Sequence, residues 1–111
     1  MCGIAVVLGL NGLQADRAVV ERMTTSMQHR GPDGSGTYIA GPVGLGFRRL
    51  SILDLSETAN QPMASEDGQV VLVFNGEIFN YVELRRELET LGHRFKSTGD
   101  TEVLLDRKSV V

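Results

Sequence analysis

Met1-Cys2-Gly3-Ile4-Ala5-Val6-Val7-Leu8-Gly9 opens the chain with two signals at once. Ile4 to Gly9 is a continuous apolar, partly β-branched run, long enough for a buried strand and too short for a helix. Directly before it stands Cys2, the only cysteine of the sequence. Removal of the initiator methionine would leave Cys2 with a thiol and a free α-amine, a nucleophile and a base joined by covalent bonds. A free α-amine titrates near ~7.7–8.0 and a free thiol near ~8.5, so the two can exchange a proton near neutral pH. Amine-assisted activation of this kind is a route to a covalent acyl intermediate. The other reading is a small apolar residue entering a strand, and the rest of the chain has to decide between them.

The chain has 111 residues, which allows at most one small domain. Hydrophobic residues make up 41% and charged residues 23%, an ordinary balance for a globular chain. With a net charge of −3, nothing in the composition favours nucleic acid or an anionic membrane surface. No apolar run approaches the ~20 residues of a membrane span, and no basic region precedes the first apolar stretch as in a secretory signal. A single cysteine excludes an intramolecular disulfide, and cytoplasmic is the expected location. Thirteen glycines point to tight turns and to places where backbone comes close to a neighbour.

Along the chain, Asn11-Gly12 marks a turn. Val19, Met23 and Met27, with Val20 beside them, predict an amphipathic helix from about Asp16 to Gln28 that stops near Arg30-Gly31-Pro32. His29 to Gly36 is dense in turn formers and reads as an ordered loop. Short strands are expected at 36–39 and 43–47, with Arg48 and Arg49 either continuing the second or turning out of it. Ser56 to Gly68 reads as loop, and Gln69 to Phe74 as a second buried strand ending at Asn75-Gly76-Glu77. Asn80 and Glu83 have capping-box spacing for a helix whose stripe is Leu84, Leu88 and Leu91 and whose stop is Gly92. A short strand at 94–97 is expected next. A last helix should begin near Thr101 and break off after about one turn, since 106–111 does not continue its apolar period. One turn is no natural domain end. The expectation is therefore a fragment, with 106–111 as a non-native or frayed tail.

Several residues could carry chemistry. Asn75-Gly76 is a common hairpin turn, but here a capped helix follows rather than a returning strand. A side-chain amide and an adjacent backbone N–H could point at one developing oxyanion. Arg49 at a strand end could fork onto a carboxylate; a solvated surface arginine is the alternative. Asp100 is either a helix N-cap or a carboxylate that holds an ammonium. An arginine and an aspartate together are what the two α-groups of a free amino acid need. His29 and His93 lack metal-site spacing with Cys2, so no metal is expected. Neither GxxxxGK[ST] nor GxGxxG occurs, so no nucleotide site is expected in this segment.

MCGI (1–4), HRGPDGSG (29–36), RLSILDL (49–55), QPM (61–63), FNGEIFNY (74–81) and STGDTEVLL (97–105), in this order, resemble the N-terminal glutaminase domain of glutamine-hydrolysing asparagine synthetases. The resemblance runs from Met1 to about Leu105. Sugar-synthesising relatives resemble YRGYDSAG where this chain has HRGPDGSG. The family belongs to the class II glutamine amidotransferases, which are N-terminal-nucleophile hydrolases. The implied fold class is α+β, with antiparallel sheets in an α/β/β/α four-layer sandwich, of which 1–105 would be only the first half.

The resemblance also implies roles. Cys2 would be the nucleophile, with Asn75 and the Gly76 backbone as oxyanion hole. Arg49 would bind the α-carboxylate of L-glutamine, and the backbone of Leu50, Ser51, Ile52 and Leu53 would line the pocket. Glu77 and Asp100 would complete it, Asp100 toward the α-amine. ATP, magnesium and aspartate would belong to a synthetase domain beyond this segment, and a homodimer is the implied assembly of the full-length protein. Two alternatives stay open: a related amidotransferase with another ammonia acceptor, and a fragment with no activity.

Overall fold

The computed structural model describes residues 1–51 and 56–110. Its centre is a three-stranded antiparallel sheet in the order β1 (Gly3–Leu8), β3 (Val43–Arg49), β2 (Gly34–Ala40). The apolar opening run forms the first strand, as its composition dictates. It pairs with β3 in the register Gly3↔Arg48 to Leu8↔Val43. A two-residue turn, Gly41-Pro42, joins β2 to β3, with Gly41 at φ +54°. The second strand begins at Gly34, two residues earlier than its composition suggests, and the third runs on through both arginines.

Helix α1 (Arg17–Ser26) lies across one face of this sheet. Asp16 caps it by accepting a hydrogen bond from the Ala18 N–H at 2.9 Å. Its buried residues are Val20 and Thr24, whereas Met23 is exposed. The expected stripe of Val19, Met23 and Met27 is thus rotated. The cause lies in β3, where Gly44 and Gly46 leave room for Val20 and Thr24 to sit on bare backbone. A Cβ at Gly46 would stand 2.0 Å from Thr24 Oγ1, and one at Gly44 would stand 2.7 Å from Val20 Cγ2. The buried Thr24 hydroxyl is satisfied by the Val20 carbonyl at 2.7 Å.

This close approach has a measurable consequence. Gly46→Ala is expected to destabilise the fold by about 1–3 kcal/mol through overpacking. Gly46→Ala combined with Thr24→Ala should recover part of the loss. The denaturant midpoint reads both, and an unchanged midpoint for the single variant would contradict the packing described.

The other two-stranded sheet pairs β4 (Met63–Ala64) with β5 (Val71–Leu72). The stretch 56–68, expected as loop, therefore contributes a strand and also a 3-10 turn at Glu57–Ala59. The expected strand 69–74 shrinks to two half-buried residues. The turn between β4 and β5 is closed by Asp67, whose carboxylate accepts from the Gln69 N–H and the Ser65 hydroxyl. These hydrogen bonds, the Gln69 N–H foremost, hold its acidity below the usual aspartate value.

Helix α2 (Tyr81–Thr90) packs on α3 (Asp100–Val110). Asn80 occupies the N-cap position but its side chain makes no capping bond, so the expected capping box is not formed. Leu88 is buried, while Leu91 is 64% exposed and falls outside the stripe. Gly92, at φ +94°, ends the helix as expected. Residues 94–97 form no strand. The Lys96 and Ser97 N–H groups turn instead into the first turn of α3, where Glu102 accepts from them at 2.8 Å and 2.7 Å. The last helix does not break off after one turn. It buries Val103 and Leu105, and Asp106 on the following turn meets His93 Nδ1 at 2.8 Å. Among the described residues no helix is long and apolar enough to cross a membrane.

Candidate active site

Strand alternation sorts the residues of β3. Gly44, Gly46 and Arg48 face α1; Phe47 and Arg49 face away from it. On that second face, at the end where β1 begins, lies a cleft of about 350 Å³. Small-molecule sites commonly enclose about 300–1,000 Å³. Cys2, Arg49, Leu50, Asn75, Gly76, Glu77 and Asp100 all line the cleft. These come from four separate stretches of the chain.

The β1–β3 register brings the first two stretches together. Because Gly3 sits opposite Arg48, Cys2 comes level with Arg49 and Leu50. The Leu50 N–H donates to Cys2 Sγ at 3.3 Å, and the thiol lies 3.7 Å from the Leu50 carbonyl oxygen. Two donors hold the carbonyl of Cys2 itself: Asn75 Nδ2 at 3.1 Å and Arg30 Nε at 3.3 Å. Met1 is 74% exposed and borders the cleft. In the 111-residue chain the Cys2 nitrogen is bonded to it, so a free amine requires its removal.

Asn75 and Gly76 follow β5 without a hairpin. The chain continues through an irregular stretch into α2, as the residues after Gly76 foretell. Gly76 lies against the Phe74 ring, where a Cβ would stand 2.9 Å from Cζ. Arg49 is buried, and its guanidinium donates to the Ser56 carbonyl. Asp100 is buried at the head of α3, yet it reaches across the cleft wall rather than capping its own helix. Its Oδ2 accepts from the Ile78 N–H at 2.8 Å. The cleft therefore carries a cation from Arg49 and anions from Asp100 and Glu77.

Ser51 does not border the cleft; its N–H is taken by Asp33 Oδ2 at 2.8 Å. Ile52 and Leu53 lie outside the described residues. Sequence reasoning passed over Met1, Phe47, Ala59, Gln61, Phe74, Gly99 and Thr101 as cleft residues. Phe47 could have been found from strand parity with Arg49, and Gln61 from the QPM triplet. Among the described residues no three histidine, cysteine or acidic side chains gather in a way that could hold a metal ion. His93 pairs with Asp106, outside the residues that line the cleft.

The glutamine amidotransferase domain profile matches residues 1–109. The chain belongs to the glutamine amidotransferase family. The chain is 46% identical over 108 residues to asparagine synthetase [glutamine-hydrolyzing] 1 of Bacillus subtilis (strain 168), covering 95% of this chain and 17% of that protein. It is 41% identical over 108 residues to asparagine synthetase [glutamine-hydrolyzing] 2 of the same organism, covering 95% and 14%. It is 41% identical over 105 residues to asparagine synthetase [glutamine-hydrolyzing] 1 of Arabidopsis thaliana, covering 94% and 18%. This amidotransferase chain thus spans less than a fifth of the length of the relatives it matches.

Proposed function

We propose that the cleft hydrolyses the side-chain amide of L-glutamine and releases ammonia. One observation carries the reading: the single thiol stands in a cleft whose walls also hold Arg49, Asp100 and Asn75. After loss of Met1, the Cys2 α-amine takes the thiol proton and the sulfur attacks the glutamine δ-carbonyl. The Asn75 amide and the Gly76 N–H stabilise the oxyanion. The tetrahedral intermediate collapses, and ammonia leaves with the proton carried by the amine. Water then adds to the thioester, releasing glutamate and regenerating the thiol. Arg49 binds the α-carboxylate of the substrate and Asp100 its α-amine. Leu50 and Glu77 line the rest of the pocket.

Donation from Asn75 to the Cys2 carbonyl fits this assignment. The bond brings the amide beside the nucleophilic residue, and the amide has a second N–H to offer. In the wider reading, the ammonia passes to aspartate activated by ATP, giving asparagine in the cytoplasm. Support comes from the relatives, each named as a glutamine-hydrolysing asparagine synthetase. ATP, magnesium and aspartate belong to the synthetase part in this proposal, and no residue of this chain is assigned to them. The four-layer sandwich belongs to the same proposal. Its support is the sheet face opposite α1, where Val6 and Leu8 are 56% and 61% exposed and available to a second layer.

The test is a mass measurement. The purified protein should lack Met1 and take up one equivalent of a glutamine-like chloroketone on Cys2, with glutamine protecting. Retained Met1, or a label that does not reach Cys2, would overturn the assignment.

A further inference from the structure

We propose that Gln61 is the positioning residue that fixes the oxyanion turn against the head of α3, an inference that rests on the glutaminase reading above. The Gln61 side chain is 6% exposed and runs between two cleft walls. Its Oε1 accepts from the Phe74 N–H, and its Nε2 donates to the Phe74 carbonyl at 3.1 Å. The side-chain amide thus does for Phe74 what a neighbouring strand would do, satisfying both backbone groups of one residue. The same Nε2 donates to Thr101 Oγ1 at 3.3 Å. Thr101 follows Asp100 in the first turn of α3.

A clamp results. The stretch 74–78 is pinned at Phe74 by Gln61 and at Ile78 by Asp100. Asn75, Gly76 and Glu77 lie between the pins, and all three border the cleft. Both pins also tie to the start of α3. Gln61 therefore sets how far the oxyanion donors stand from the carboxylate assigned to the substrate amine. That separation matters because a misplacement of about 1 Å can cost about 100-fold in rate. Burial reinforces the point: a buried carboxamide with both ends engaged is held in one orientation. Gln61 itself needs no contact with the reacting atoms.

The experiment uses the intact protein with Met1 removed. Gln61→Met keeps the side-chain length and removes its polar atoms. The rate per active site, counted by chloroketone titration, should fall about 10- to 100-fold, with a smaller change in KM. A glutamine-like aldehyde, whose thiol adduct carries an oxyanion, should bind about tenfold more weakly. Iodoacetamide, which forms no oxyanion on the substrate carbonyl, should alkylate Cys2 at the wild-type rate. Thr101→Val cuts only the link to α3, and the double variant should lose no more than Gln61→Met alone.

An unchanged rate per site and aldehyde affinity in Gln61→Met would overturn the inference, as would a loss of aldehyde affinity matched by an equal slowing of iodoacetamide alkylation, which marks general loosening. Should Gln61→Met fail to fold, Thr101→Val decides: unaltered glutamine kinetics would refute the link to α3. A wild-type protein that hydrolyses no glutamine brings down the glutaminase reading instead. In that case amide exchange at Phe74 still tests the clamp, because Gln61→Met should speed it about tenfold or more.

Discussion

Cys2→Ala is expected to eliminate glutamine hydrolysis while leaving the protein folded. The expected loss in kcat is at least about 10⁴-fold, as for removal of the nucleophile from other covalent hydrolases. The structural cost is small. The side chain is half-buried, and its contacts are a 3.3 Å bond from the Leu50 N–H and a 3.7 Å approach to the Leu50 carbonyl, both long and weak. Sheet pairing begins at Gly3, so the β1–β3 register does not depend on the thiol. The informative comparison measures hydrolysis and thermal midpoint on one preparation. Full loss of turnover with a midpoint within a few degrees of wild type is the expected pair. A loss in kcat much smaller than about 10⁴-fold would mean that another group performs the attack. Any activity that uses ammonia directly in the intact protein should survive, because it bypasses the cleft.

The second large effect is on binding. Asp100→Asn keeps an oxygen acceptor for the Ile78 N–H, so the clamp on 74–78 is preserved while the negative charge is removed. Hydrogen bonds to charged groups contribute about 1.5–3 kcal/mol. At about 1.4 kcal/mol per decade, KM for glutamine should rise about 10- to 150-fold, with kcat changing far less. A substrate analogue without the α-amine gives the control. The wild type should discriminate strongly against it, and Asp100→Asn should lose most of that discrimination. If the preference for glutamine persists in the variant, the amine is held elsewhere, with Glu77 the next carboxylate on the cleft wall.

Much of this arrangement is legible in the sequence because local rules govern it. The opening apolar run becomes β1, and Asp16, Gly41 and Gly92 act where their chemistry places them. The candidate site was also largely legible, since Cys2, Arg49, Asn75, Gly76, Glu77 and Asp100 do share one cleft. What local rules could not give was decided by partners far along the chain. The stripe of α1 is rotated because Gly44 and Gly46 admit Val20 and Thr24. At Phe74 a side chain, Gln61, supplies the pairing that a neighbouring strand's backbone would have supplied. The 94–97 stretch looks extended but gives its Lys96 and Ser97 N–H groups to Glu102. A clue to β4 was present in Asp67-Gly68 between short apolar pairs, a turn signal outweighed by the polarity of the segment.

The alternation along β3 reaches further than packing. Arg48 and Arg49 are adjacent and chemically identical, yet Arg48 is spent on the Gly31 carbonyl at 2.8 Å, while Arg49 enters the cleft. Nothing in the side chains distinguishes them; parity alone assigns one to the scaffold and the other to the cleft. Parity is counted from the Gly41-Pro42 turn at the opposite end of the strand. A slip of one residue there would exchange the two arginines and turn Phe47 toward the helix. Which side chains reach the cleft at one end of the sheet is therefore dictated by the counting of residues at the other.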